Sequence, residues 1–130
     1  MFVSSFDPLE VFVYKKAYLR ICGKDFDIFK CQDIQRHISN YAVNRDDELV
    51  MKSDEFTEYV RSKTGNKETT WEQQFFPQIL NIVRAVTTKG AEVIESRPNF
   101  FELFGFDFAV DEDLKLWLIE VNMSPACAER

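Results

Sequence analysis

Glycine, histidine and cysteine are scarce in this 130-residue chain, and each scarcity removes a class of chemistry. With only four glycines, neither standard glycine-rich phosphate loop is present, so any nucleotide must be held by other means. The single histidine, His37, has no recognisably placed Ser or Cys nucleophile nearby. A catalytic triad therefore has no support, and a loop-organising hydrogen bond is its ordinary role. The three cysteines, Cys22, Cys31 and Cys127, are odd in number and lack CxxC spacing. They fit free thiols in a reducing compartment rather than a disulfide frame or a zinc site. No signal peptide opens the chain and no apolar run approaches membrane-spanning length, so a soluble intracellular chain is the default expectation. Basic charge is also short. Sixteen Lys and Arg stand against 22 Asp and Glu, giving a net charge of −6 and a pI near 4.8. Nonspecific nucleic-acid binding has no support, and net charge does not favour an anionic protein partner, although a local basic patch can serve one.

What is present argues for a folded domain. A hydrophobic content of 45% with 13 phenylalanines supplies a core, and 130 residues suit one modest domain. LEVFVY (9–14) and YLRIC (18–22) read as two short strands joined by a turn at Lys15-Lys16-Ala17. The chain enters this hairpin almost directly, which leads us to expect that it starts inside a larger fold. Residues 23–48 lose periodicity and 31–44 read as a loop, ordered because Ile34, Ile38, Tyr41 and Val43 punctuate it. Ser53-Asp54-Glu55 starts a helix whose face carries Phe56, Tyr59 and Val60, and Thr64-Gly65-Asn66 ends it. Thr69 or Thr70 caps a second, longer helix with Trp71, Phe75, Ile79, Ile82, Val83 and Val86 on one face. Pro77 should kink its first turns or displace its start, and we expect it to run to about Ser96.

The closing stretch, FFELFGFDFAVDEDLKLWLIEVNMSP (100–125), reads as two strands around an acidic turn at 111–113. Alternation puts Asp107 on a face with Leu103, Gly105 and Ala109, and Phe104, Phe106 and Phe108 on the other. Glu120 and Asn122 share a face of the second strand, and Asp107 falls opposite Ile119 or Glu120 depending on register. Two carboxylates and an amide oxygen on one face form a hard-oxygen set suited to Mg²⁺. Two readings stand beside each other. In one, Glu120, interrupting the apolar run WLIEVN, is bound to a cation; in the other, Asp107 caps a bend and Glu120 pairs with a lysine. Gly105 and Ala109 either leave room for a ligand or reflect crowded packing. Arg20 likewise interrupts an apolar strand, so it binds a phosphate bidentately or forms a structural salt bridge. Ser39 and Asn40 donate to phosphate or hold turns, and the triplet at 111–113 is a solvated turn.

Four segments stand in order: Leu19-Arg20, then His37-Ile38-Ser39-Asn40, then FELFGFDF (101–108), then WLIEVNMSP (117–125). Together they resemble the tubulin–tyrosine ligase-like enzymes, a branch of the ATP-grasp superfamily, across nearly the whole chain. The resemblance implies an α+β fold: a partial ATP-grasp, mainly antiparallel sheet with two helices packed on it. Residues 1–130 would be the C-terminal part of that core. The implied activity is ATP-dependent addition of an amino acid to the acidic tails of tubulin. An acceptor carboxylate is phosphorylated, and the acyl phosphate is attacked by the incoming amine. The implied cofactors are ATP and Mg²⁺, with Asp107, Glu120 and Asn122 as metal ligands and Arg20 at the phosphates or the reacting carboxylate. Ser39 and Asn40 match loop positions next to the nucleotide, with Ser where Thr is commoner, and Tyr41 lines the amino-acid site.

MKSDEFTEYV, TTWEQQFFPQI and VIESRPNFFEL look most like the glycylase branch, with the glutamylases as the close alternative. The implied partners are tubulin and free glycine or glutamate, with neither nucleic acid nor membrane. The implied location is the cytoplasm and cytoskeleton, including the axoneme of a cilium or flagellum. The lysines that grip the nucleotide in this family have no counterpart in the matched part. The expectation is therefore a fragment or truncated product that does not ligate alone, or a non-catalytic tubulin-binding module derived from such an enzyme.

Overall fold

The computed structural model describes residues 1–40, 43, 49–95, 97 and 99–125, with Leu49 described by its backbone alone. In chain order the elements are β1 (Phe2–Phe6), β2 (Leu9–Phe12), β3 (Tyr18–Ile21), a 3₁₀ turn (Ile34–Arg36), β4 (Leu49–Lys52), α1 (Ser53–Thr64), a π-helical turn (Trp71–Phe75), α2 (Phe76–Ala91), β5 (Glu102–Leu103), β6 (Gly105–Val110) and β7 (Leu116–Asn122). This is the α+β class, with antiparallel strands in three small sheets and two α-helices among the described residues. The chain divides into two compact units, one of residues 1–15 and 70–130 and one of residues 16–69.

The first unit holds the sheet β2–β1–β5, the hairpin β6–β7 and α2. Strand β1 pairs antiparallel with β2 in the register Phe2↔Phe12, Val3↔Val11 and Phe6↔Leu9, around a cis peptide at Asp7-Pro8. On its other edge it pairs with β5. Val3, Phe6, Trp71, Phe75, Val83 and Leu116 are buried here. Thr70 caps the helical segment, its Oγ1 accepting from the Gln73 N–H at 3.2 Å. Pro77 lacks an N–H, so the ordinary bond four residues back is lost and the preceding turn widens. There the Phe76 N–H donates to the Trp71 carbonyl, five residues back, and α2 proper starts at Phe76. The Trp71 indole N–H donates to the Lys15 carbonyl at 2.7 Å, which ties this turn to the end of the segment that follows β2.

In the second unit, β3 pairs antiparallel with β4, with Leu19↔Met51 and Arg20↔Val50. Helix α1 buries Phe56, Thr57 and Val60 on one face. Its start is fixed by Glu55, whose Oε2 accepts the Lys52 N–H at 2.7 Å, with Asp54 and Glu55 in the first turn and Arg61 and Lys63 in the last. Gly65 closes it at φ 71°, a left-handed cap that favours a residue without Cβ. Residues 23–40 form an ordered loop. His37 Nε2 lies 3.1 Å from the Lys30 carbonyl, the Asp33 carboxylate takes bonds from Lys24 and Arg36, and Arg36 also donates to the Asp25 carbonyl.

Three sequence expectations are corrected. The hairpin of 9–14 with 18–22 does not form: β2 pairs with β1, and β3 pairs with β4, which lies beyond the long loop. Asp7-Pro8 is a strong turn dipeptide, and Phe-Val-Ser-Ser-Phe before it carries the apolar positions that β2 needs. The segment before Pro8 is thus a strand rather than a bare lead-in. The long helix ends at Ala91 and not near Ser96. Gly90 lowers helix propensity there, and the ladder becomes irregular, with the Glu92 N–H on the Lys89 carbonyl and both the Val93 and Ile94 N–H groups on the Gly90 carbonyl.

Candidate metal centre

The hairpin β6–β7 builds its own turn. Asp111 organises it: Oδ1 accepts the N–H groups of Asp113 and Lys115 at 3.0 and 2.9 Å, and Oδ2 accepts the Trp117 indole N–H at 2.7 Å. The Trp117 bond, then the Lys115 N–H, hold the Asp111 carboxyl below the ordinary aspartate value. The Lys115 ammonium lies 3.9 Å from the Trp117 ring centroid. From α2, Gln78 clamps the outgoing strand. Its Oε1 accepts the Leu116 N–H at 3.0 Å, and its Nε2 donates to the carbonyls of Leu114 and Gln74.

Beyond the turn, the pairs Val110↔Leu116, Ala109↔Trp117 and Phe108↔Leu118 alternate regularly, and then the register shifts so that Asp107 pairs with Glu120, Phe106 with Val121 and Gly105 with Asn122. Ile119 is the extra residue, a bulge on β7. Its effect on the site is decisive. Strict alternation would put Glu120 and Asn122 on the face of Leu116 and Leu118, which pairs with Phe108 and packs inward. The bulge transfers them to the exposed face that carries Asp107 and Ala109. Glu120 is exposed and Asn122 half-buried. The Asn122 Nδ2 lies 3.2 Å from Asp107 Oδ2 and 3.2 Å from Glu120 Oε1. One donor bridges both carboxylates, so their lone pairs converge on one small region.

The three side chains expected as metal ligands are therefore brought together. Among the described residues Glu120 forms no lysine ion pair, and no three His, Cys, Asp or Glu side chains are grouped so as to hold a metal ion. The donor set is two carboxylates with one amide. It fits Mg²⁺: all donors are hard oxygens once the Asn122 carboxamide makes a half-turn that swaps Nδ2 for Oδ1. Of the two readings of Gly105, room for a ligand or crowded packing, the structure has the second, with Pro125 packed against it. Sequence reasoning gave no role to Gln78 or Pro125 and named Ile119 only as an alternative partner of Asp107. Only Gly105 carried a signal, as a glycine inside a strand.

The other expected site residues lie in the second unit. Arg20 is half-buried on β3, its guanidinium carbon 5.7 Å from the Tyr18 ring centroid. Ser39 is half-buried and Asn40 exposed after the 3₁₀ turn, where the Asn40 carbonyl accepts the Val43 N–H at 2.9 Å. Tyr41 lies outside the described residues.

The model of the tubulin-tyrosine ligase family matches residues 1–130. The chain belongs to the tubulin-tyrosine ligase family. Its relatives in that family include Tubulin glycylase 3E of Tetrahymena thermophila, 33% identical over 135 residues, covering 98% of this chain and 10% of that protein. Probable tubulin polyglutamylase TTLL2 of Homo sapiens is 32% identical over 136 residues, covering 95% of this chain and 22% of that protein. Protein monoglycylase TTLL8 of Mus musculus is 31% identical over 135 residues, covering 95% of this chain and 16% of that protein. The chain thus spans only 10% to 22% of the length of these family members. No helix among the described residues is long and apolar enough to cross a membrane.

Proposed function

We propose that residues 1–130 supply the C-terminal part of the ATP-grasp core of a ligase that joins glycine to glutamate side chains in the acidic tails of tubulin. The observation that carries this reading is the convergence of Asp107, Glu120 and Asn122 within a member of the tubulin-tyrosine ligase family. The acceptor carboxylate takes the γ-phosphoryl group of ATP, releasing ADP, and the amine of the incoming amino acid attacks the resulting acyl phosphate, forming the amide and releasing phosphate and a proton. ATP, the acceptor carboxylate and the acyl phosphate are all anionic, so the chain's task is to gather compensating charge.

Asp107 and Glu120 hold Mg²⁺ with one carboxylate each, and Asn122 adds its amide oxygen. When bound, the ion offsets charge on phosphate oxygens of ATP as phosphoryl transfer proceeds. Arg20 presents a planar guanidinium to phosphate or to the reacting carboxylate, a bidentate fit that a lysine would not give. Ser39 and Asn40 lie beside the nucleotide, and Tyr41 lines the amino-acid site. A tubulin substrate puts the working location at the microtubule cytoskeleton, cilia and flagella included.

A glutamate donor is the second reading, favoured by the 32% identity to Probable tubulin polyglutamylase TTLL2. A segment exchange decides between them. Residues 1–130 replace the matching segment of Tubulin glycylase 3E, and incorporation of labelled glycine and glutamate into tubulin is measured with Mg²⁺ and ATP. Glycine incorporation that disappears with Glu120→Gln supports the proposal. Incorporation that survives Glu120→Gln removes Glu120 from the metal site, and an exchange that supports neither amino acid contradicts the assignment of this segment to the catalytic core.

A further inference from the structure

A side chain at position 105 would be crowded, and the neighbour that would have to give way is a single residue, Pro125. A Cβ built on Gly105 would stand 3.1 Å from Pro125 Cβ and 3.8 Å from Asn122 Cβ. Carbon atoms prefer about 3.5–4.0 Å, so the first contact is too close while the second is ordinary. Nor is the backbone the reason for glycine, since its φ lies outside the left-handed region. What Gly105 provides is a notch. The chain bends at Met123-Ser124 after β7, and the Pro125 ring comes back to rest in that notch, against the residue that pairs with Asn122 across the hairpin.

The consequence falls on Asn122. It is the last residue of β7, where a strand end would ordinarily fray, yet its carboxamide reaches both Asp107 and Glu120. Pro125 seated on Gly105 closes a short loop around Asn122, holding it from the far side of the pair. We propose that Gly105 and Pro125 are positioning residues for the cation site: an interlocked notch and ring that hold Asn122 in reach of the two carboxylates without touching the ion. This inference rests on the reading of Asp107, Glu120 and Asn122 as a cation site. A methyl group at position 105 would push Pro125 and the end of β7 outward, and a glycine at position 125 would leave the notch empty. Combining the two changes replaces the lost Pro125 Cβ with a methyl from the opposite side.

The test is Mn²⁺ binding to the 130-residue chain by electron paramagnetic resonance, with Mg²⁺ as competitor and circular dichroism to confirm folding. Wild type should bind Mn²⁺ in competition with Mg²⁺, and Asp107→Asn should lose that binding. Gly105→Ala should weaken it about tenfold, a size typical of overpacking by one methyl group. Pro125→Gly should weaken it as well, and Gly105→Ala with Pro125→Gly should recover most of the affinity. Wild-type affinity in Gly105→Ala, or two losses that simply add in the double variant, would overturn the proposal while leaving the cation site standing. If wild type fails to bind, or Asp107→Asn still binds, the cation site falls and the positioning role with it. If Gly105→Ala does not fold, Pro125→Gly decides alone: weakened binding supports the role and unchanged binding overturns it.

Discussion

Asp107 and Glu120 stand directly opposite each other across β6 and β7, and the Asn122 Nδ2 lies 3.2 Å from an oxygen of each. Two exposed carboxylates facing each other repel, and a cross-strand pair of like charges is destabilising. The carboxamide between them relieves this by donating a hydrogen bond to both.

Replacing that carboxamide by a third carboxylate should expose the tension. Asn122→Asp is expected to lower stability in chelator by about 1 kcal/mol through like-charge repulsion. In millimolar Mg²⁺ it should gain more than wild type does, because ligand binding adds to the folded state. Thermal unfolding of both chains with and without Mg²⁺ reads this. An Asn122→Asp chain indifferent to Mg²⁺ would count against the site.

Gln78 is the joint between α2 and the hairpin. Its removal leaves the Leu116 N–H and the Leu114 carbonyl without this partner, next to the buried Leu116 side chain. Gln78→Ala should cost about 1–3 kcal/mol, the usual penalty for an unsatisfied polar group. Gln78→Glu should cost as much or more, since it keeps the acceptor for Leu116 but turns a negative charge toward the Leu114 carbonyl. Urea unfolding of the two variants measures both values.

Much of this could be read from the sequence where the signal is local. Gly65 ends α1 and Thr70 caps the next segment because each acts on its nearest neighbours. The grouping of Asp107, Glu120 and Asn122 was legible as a possibility, with the register left open between Ile119 and Glu120. The structure resolves it through a bulge, which alternation along one strand does not encode. Pairing was least legible. The partner of β3 lies beyond a long irregular loop, and β1 has two serines in the middle of its apolar pattern. Pro125 was out of reach for the same reason: its contact with Gly105 exists only once the hairpin has closed.

Acid should loosen the hairpin turn at Asp111. The Trp117 indole and the Lys115 and Asp113 N–H groups favour its ionised form, so its folded pKa lies below the unfolded one. The sign follows from linkage. This contribution to stability is complete above the unfolded carboxylate range, near about pH 4, and disappears as pH falls through the folded value. The Trp117 indole N–H resonance should therefore stay constant down to about pH 4 and shift only below it. In Asp111→Asn that acid-dependent shift should vanish, and a shift that persists would assign it to another group.

The central claim is that Asp107, Glu120 and Asn122 form one cation site, and paramagnetic broadening locates it directly. Mn²⁺ added in small steps to the ¹⁵N-labelled chain should first erase the Asn122 side-chain amide signals and the backbone signals of Asp107 and Glu120, and excess Mg²⁺ should restore them. Broadening that begins instead at the acidic turn of residues 111–113, or spreads evenly over the acidic surface, would contradict the account.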